Sequence, residues 1–249
     1  SFFAFTATPK HTTLQVFGEK QPDGSYLPFH IYSMRQAIEE GFILDVLKNY
    51  TTYRMYYKII KSIPDDPELE TTAGVRAVKK YESLHPHNLA QKTAVIVEHF
   101  RNQTKNQIGG KAKAMLVTSS RLHAVRYLFE FRRYIKDQKY DDIDVLVAFS
   151  GEINDEGETW TEEKINKTQD GETIKEKQLP KEFHDNFNFL IVAEKYQTGF
   201  DEPYLHTMFV DKKLSGIKAV QTLSRLNRTM EGKEETFVLD FVNTAEEIR

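Results

Sequence analysis

The stretch Ala114-Met115-Leu116-Val117-Thr118-Ser119-Ser120 decides the fold. Four apolar residues in succession, with no polar alternate among them, suit a strand buried on both faces. Small hydroxyl residues follow, and 122–138 then carries apolar Val125, Leu128, Phe129 and Ile135 at helical spacing. A buried strand, a short turn and an amphipathic helix form the unit of a parallel sheet, because a parallel partner needs a crossover. The same run recurs in Asp144-Val145-Leu146-Val147-Ala148-Phe149, Phe189-Leu190-Ile191-Val192-Ala193, His206-Thr207-Met208-Phe209-Val210 and Thr236-Phe237-Val238-Leu239-Asp240. The expected class is α/β, a mostly parallel sheet covered by helices on both faces.

The first half of the chain reads differently. Phe2-Phe3-Ala4-Phe5 is expected as a short buried strand running into Thr6-Ala7-Thr8-Pro9. Pro22-Asp23-Gly24-Ser25 is a turn signal and predicts a small hairpin within 17–29. Ser33 precedes a helical pattern over 34–50, Pro64-Asp65-Asp66-Pro67 interrupts it, and 75–107 is helical again. Residues 34–107 are therefore expected to form a helical insert. The interval 150–180 is polar and charge-rich, with Gly151, Gly157, Gly171 and Trp160, and is expected to be a mobile loop.

Composition narrows the function classes. A length of 249 residues allows one large domain or two small ones. With a net charge of -3, any nucleic-acid surface has to be a local patch rather than the whole molecule. Cysteine is absent, which excludes disulfides and thiolate metal sites and agrees with a cytoplasmic setting. No run approaches the roughly 18 apolar residues of a membrane span. The chain opens on Ser1 inside an apolar run, so a piece of a longer protein is expected.

Three stretches carry candidate chemistry. Read as helix, Gln221-Thr222-Leu223-Ser224-Arg225-Leu226-Asn227-Arg228 puts Gln221, Arg225 and Arg228 on one stripe and Ala219, Leu223 and Leu226 opposite. Guanidinium is a planar fork suited to phosphate and carboxylate oxygens. Spacing alone leaves both a polyphosphate neighbour and a solvated basic face open. In Thr118-Ser119-Ser120 the hydroxyls stand where a helix begins, so they either cap it or share its N–H groups with a phosphate. Arg121 places a cation where the helix dipole prefers an anion, which favours the phosphate. In Tyr196-Gln197-Thr198-Gly199-Phe200-Asp201-Glu202-Pro203, Gly199 permits close backbone approach, Thr198 offers a hydroxyl, and Asp201 can accept from a ribose or a guanidinium.

Absences sharpen this picture. No G-x-x-x-x-G-K-[ST] cradle occurs, since Gly110-Lys111 and Gly232-Lys233 both lack the upstream glycine. No apolar strand runs into an Asp-Glu pair that would hold Mg²⁺, and His85-Pro86-His87 has no partner ligands at metal spacing. Arginines facing a polyphosphate without a cradle imply half of a two-part site.

These residues carry a family likeness. Thr6-Ala7-Thr8 resembles the S/T-A-T motif that closes the first RecA-like lobe of superfamily 2 helicases and translocases. The 114–121 stretch resembles the motif opening their second lobe, and Thr198-Gly199-Phe200-Asp201 their Gly-Asp motif. Gln221-x-x-Ser224-Arg225-x-x-Arg228 resembles their arginine-finger motif Q-x-x-G-R-x-x-R, with Ser224 in place of Gly. The wording of 5–9, 32–49, 196–203 and 223–228 is similar to the motor (restriction) subunit of type I restriction–modification enzymes. The resemblance implies a preceding lobe's end and linker over 1–30 and a second RecA-like lobe over 31–249. It implies an ATP-driven double-stranded DNA translocase, using ATP and Mg²⁺, with nuclease and phosphate-cradle lobe upstream and modification and specificity subunits as partners. It gives Arg228 the finger role, Arg225 and Gln221 its support, and Asp201 and Gly199 the nucleotide. Thr118, Ser119 and Thr198 would hold the DNA backbone, and Thr6 and Thr8 would couple the lobes. The fragment alone is expected to be inactive. A lobe of another superfamily 2 helicase, or an assembly module, remains the alternative.

Overall fold

The computed structural model describes residues 4–6, 9–53, 55–56, 86–196 and 200–248, in two units, Ser1–Ile43 and Leu44–Arg249. The first unit holds α1 (His11–Phe17), the antiparallel strands β1 (Glu19–Lys20) and β2 (Tyr26–Leu27), and α2 (Met34–Glu39). The expected hairpin is present. Asp23 Oδ1 accepts from the Ser25 amide at 2.9 Å and Gly24 takes φ +85°, which together turn the chain. Ser33 and Gln36 form a reciprocal capping box at the start of α2. The helix ends at Glu39 rather than 50, because Gly41 adopts φ +76°. The strand expected over Phe2–Phe5 is not formed over its described residues 4 and 5, and Phe5 is 98% exposed.

The second unit contains β3 (Tyr50–Thr52), α3 (Pro86–His99), β4 (Lys113–Thr118), α4 (Arg121–Gln138), β5 (Val145–Ala148), β6 (Glu152–Asp155) and β7 (Glu158–Thr161). It continues with α5 (Glu162–Ile165), α6 (Leu179–Asp185), β8 (Phe189–Val192), β9 (Leu205–Asp211), α7 (Gly216–Leu223), β10 (Phe237–Asp240) and α8 (Ala245–Ile248). Six strands make one sheet in the order β3-β10-β9-β4-β8-β5, and every pairing is parallel. The strand runs predict an α/β parallel sheet and the resemblance implies a RecA-like one, and the architecture agrees with both.

The period of two along each strand divides the core. Ala114, Leu116, Val145, Val147, Phe189, Ile191 and Phe209 face a cluster closed by Leu89, Ile96, Phe100, Val125, Leu128 and Phe131 from α3, α4 and the turn between α3 and β4. Met115, Val117, Leu146, Leu190, Val192, Met208 and Val210 face the other, closed by Leu179, Phe183, Ala219, Leu223 and Leu226. Both faces being dry explains why these strands read as unbroken apolar runs.

Two expectations are corrected. The stretch 34–107 is not a purely helical insert, since Tyr50-Thr51-Thr52 forms the edge strand beside β10; residues 57–85 lie outside the described ones. The polar interval 150–180, expected as a mobile loop, forms the β6–β7 hairpin and the short helix α5. It also closes the other sheet edge with side chains. The Val147 amide donates to Asn166 Oδ1 at 3.0 Å, Asn166 Nδ2 donates to the Val147 carbonyl at 2.7 Å, and the Phe149 amide donates to Glu162 Oε2 at 2.9 Å. An exposed strand edge invites foreign pairing, and here polar side chains satisfy it instead. Among the described residues no helix is long and apolar enough to cross a membrane.

Candidate functional site

The connection from β8 to β9 carries the first half of the site. Among its described residues are two left-handed non-glycine ones, Glu194 (φ 60°) and Tyr196 (φ 62°). Such conformations persist only where neighbours over-determine them. Between the two, Lys195 Nζ donates to Glu162 Oε1 and Oε2 at 2.9 Å and to Glu176 Oε1 at 2.8 Å. Burial opposes the charge on Lys195, but the bonds to Glu176 and Glu162 outweigh it and hold its pKa above the ordinary lysine value. The 150–180 interval therefore braces this segment as well as the sheet edge. Thr198 and Gly199 lie outside the described residues.

The arginine stretch follows α7, and here the structure corrects the helical stripe. Helix α7 stops at Leu223, so Arg225 and Arg228 are not on it. The reason is local. The Gln221 carbonyl, which would accept the Arg225 amide in a continued helix, instead takes the Ser224 hydroxyl at 3.2 Å and Arg225 Nε at 3.2 Å. The Arg225 amide turns to the Thr222 carbonyl. Ala219, Leu223 and Leu226 are nevertheless buried as expected, because the tight turns beyond the helix keep them on one side.

The two halves meet through specific bonds. Arg225 Nη1 donates to the Phe200 carbonyl at 2.9 Å, and Arg228 Nε pairs with Asp201 Oδ1 at 3.1 Å. Asp201 thus meets a guanidinium, that of Arg228, as one reading allowed. Burial, and then the neighbouring Arg228, lower the Arg225 pKa, although guanidinium stays charged at working pH. The side chains of the Arg228–Asp201 pair are 47% and 67% exposed, so this contact is at the surface. Asn227 between the arginines is buried, and its carbonyl accepts the Leu44 amide at 2.9 Å.

Sequence reasoning missed Lys233. It is 4% exposed, and its Nζ donates to the Leu226 carbonyl at 2.8 Å and the Pro203 carbonyl at 3.2 Å, one in each half of the site. Burial pushes its pKa down to about 8. Gly232-Lys233 attracted attention only as a failed phosphate cradle; a lysine beside a glycine otherwise reads as a solvated turn.

The strand ends β4, β5 and β8 frame a second feature, a cavity of about 480 Å³ lined by Ser119, Ser120, Arg121, Ser150, Ala193, Glu194 and Lys195. Ser119 is exposed here. Ser120 caps α4 by accepting the His123 amide at 3.3 Å. Thr118 is not presented: it is fully buried, and its hydroxyl donates to the Val192 carbonyl at 2.9 Å. Arg121 Nη1 reaches the Ser150 and Glu152 carbonyls at 3.2 Å, passing over Gly151, where a Cβ would stand 3.0 Å from it. Thr6 lies in the first unit and Thr8 outside the described residues. Among the described residues no group of three or more His, Asp or Glu side chains suits a metal ion.

The parallel sheet and the helices on its faces define the class: a RecA-like α/β lobe. Residues 171–243 match the family model described as type I restriction enzyme subunit R domain 3. Over its whole length the chain is 28% identical to a Methanocaldococcus jannaschii protein designated type I restriction enzyme MjaIXP endonuclease subunit, covering 23% of it. It is 26% identical, again over its whole length, to the type I restriction enzyme HindI endonuclease subunit of Haemophilus influenzae, covering 24% of it. A solved fragment assigned to the HsdR subunit of a type I restriction enzyme from Vibrio vulnificus shares the fold, with a TM-score of 0.55 at 15% identity, over 90% of this chain and 37% of that one. The chain is thus similar to endonuclease subunits of type I restriction enzymes, and it spans about a quarter of the length of the curated relatives it matches.

Proposed function

We propose that this chain is the second RecA-like lobe of an ATP-driven double-stranded DNA translocase within a type I restriction enzyme R subunit. In this reading Arg228 is the arginine finger. The observation that carries it is the half-exposed Arg228–Asp201 pair, set on a scaffold that is otherwise buried and bonded. A surface ion pair is weak, so Arg228 can leave Asp201 for phosphate at little cost. Arg225, tied to the Phe200 and Gln221 carbonyls, holds the two segments together.

ATP supplies the transferable γ-phosphoryl group. This chain offers cations and Asp201 toward it; its sequence has no phosphate cradle and no cluster among the described residues suits a metal ion, so this reading assigns both to an upstream lobe of the same subunit. Turnover then requires that lobe to close against this one, and cycles of closure and opening drive movement on DNA. Ser119, at the mouth of the strand-end cavity, and the amides opening α4 suit a phosphate of the DNA backbone; such contacts give affinity without reading sequence. In this reading Thr198 contacts the DNA backbone and Gly199 the nucleotide; both lie outside the described residues. Thr6 and Thr8 couple the lobes. The modification and specificity subunits are the partners, a nuclease lies upstream, and a cytoplasmic location goes with this role.

The test is Arg228→Ala in the full-length R subunit assembled with its partners and DNA. Turnover of ATP should fall by about 10³-fold or more, the scale of arginine fingers elsewhere, while nucleotide binding stays within a few-fold. An unchanged kcat removes Arg228 from the site.

A further inference from the structure

We infer that Lys233 is a positioning residue for ATP turnover, holding the Arg228 segment in register with the Asp201 segment. This rests on the translocase reading. Three side-chain ties between the two segments stand out among the described residues. Two of them are made by the arginines themselves: Arg225 holds the Phe200 carbonyl, and the Arg228–Asp201 pair is the one that yields to the nucleotide. Lys233 is the third and is independent of it. The residue is 4% exposed, and its ammonium donates to main-chain carbonyls two residues away from each functional side chain: Leu226 precedes Arg228, and Pro203 follows Asp201.

The local chain is built to deliver this lysine. Gly232 takes φ +79°, and the Lys233 amide closes a turn onto the Met230 carbonyl at 3.1 Å, which folds the chain back beneath the arginine stretch. An ammonium bonded to two carbonyls from different segments fixes their separation. A neutral side chain of the same length would leave both carbonyls buried without that donor. Charge around it is balanced by groups on both segments: Glu202 and Asp201 favour its proton, whereas burial and Arg228 oppose it.

Lys113 provides the contrast. It too is buried, 7% exposed, but its Nζ donates to the Phe187 carbonyl at 2.6 Å, outside both segments; only its main-chain amide, which a substitution leaves in place, reaches the Tyr204 carbonyl. If Lys233 served only to fill and stabilise the interior, the two lysines would behave alike.

The experiment compares Lys233→Met, Lys113→Met and Arg228→Ala in the full-length R subunit assembled with its partners and DNA, following ATP turnover. Lys233→Met should lower kcat by about tenfold or more, as small misplacements of catalytic groups do, with KM for ATP within about twofold. Lys113→Met should lower the unfolding temperature but keep kcat within about twofold of wild type. Wild-type kcat in Lys233→Met overturns the inference, as do equal losses in both lysine variants or a KM that rises in step with the kcat loss. If Lys233→Met does not fold, Lys233→Gln decides, because its amide reaches one carbonyl at most. Reduced kcat at unchanged KM supports positioning, and wild-type kcat overturns it. An active Arg228→Ala overturns the translocase reading together with this inference. An inactive Arg228→Ala beside a normal Lys233→Met overturns this inference alone.

Discussion

Two ion pairs sit on the same β8–β9 connection and differ in almost everything but chemistry. Lys195 meets Glu162 at 2.9 Å with side chains 12% and 6% exposed, and the carboxylate also takes the Phe149 amide. A few residues on, Asp201 meets Arg228 at 3.1 Å with side chains 67% and 47% exposed. The first pair is locked by burial, because separating it would strand a charge out of water. The second is open to solvent, and water or a phosphate can replace either partner. One connection thus carries a structural charge pair, beside the left-handed Glu194 and Tyr196, and an exchangeable one at Asp201.

The contrast breaks if the buried pair turns out to be dispensable. Glu162→Ala should destabilise the 249-residue chain by about 3–5 kcal/mol, since it leaves Lys195 with the exposed Glu176 alone and orphans the Phe149 amide. Urea unfolding measures this, and a loss under about 1 kcal/mol would place Glu162 among surface charges.

Buried groups that are neutral rather than paired give the next largest effect. His99 and His206 are 5% and 6% exposed, and burial pushes both pKa values down to about 4. Their unfolded forms take up protons near pH 6.5, so between pH 6.5 and 4 the unfolded chain binds more protons and stability falls as the pH falls. Each histidine contributes up to about 3 kcal/mol of this loss, complete below pH 4. His99 packs against Phe237 at 4.3 Å and Tyr56 at 5.5 Å, so His99→Phe should keep the packing and flatten the acid slope. An unchanged slope assigns the acid sensitivity elsewhere.

These charge arrangements were the least legible part of the sequence. Strands β4, β5, β8, β9 and β10 announce themselves as apolar runs because both faces of a parallel sheet are dry. Tyr50-Thr51-Thr52 gives no such signal: an edge strand this short and half-buried looks like the end of the preceding helix. The motif residues Asp201, Arg225 and Arg228 were found by their types and order. Their geometry was not, because the helix is ended by side chains competing for the Gln221 carbonyl, an event no periodicity records. Glu162, Lys195 and Lys233 read as solvated charges, and only the tertiary fold turns them inward. The polarity of 150–180 was seen correctly and given the wrong consequence: its Glu and Asn side chains satisfy a strand edge rather than water.

The smallest effect is the most informative about mechanism. A double-mutant cycle with Asp201→Asn and Arg228→Gln in the 249-residue chain should give a coupling of about 0–1 kcal/mol at low salt. Raising ionic strength to about 1 M shortens the screening length to roughly 3 Å and should remove most of that coupling, while Glu162→Ala keeps its cost. The low value is a requirement of the proposed function rather than a weakness of the site. An arginine finger must exchange its resting partner for phosphate in every turnover, and each 1.4 kcal/mol of resting attraction would lower the available fraction tenfold. A coupling of 3 kcal/mol or more, unmoved by salt, would make Asp201–Arg228 a second structural pair. It would erase the difference between the two ends of the β8–β9 connection and leave Arg228 too firmly held to act as the finger.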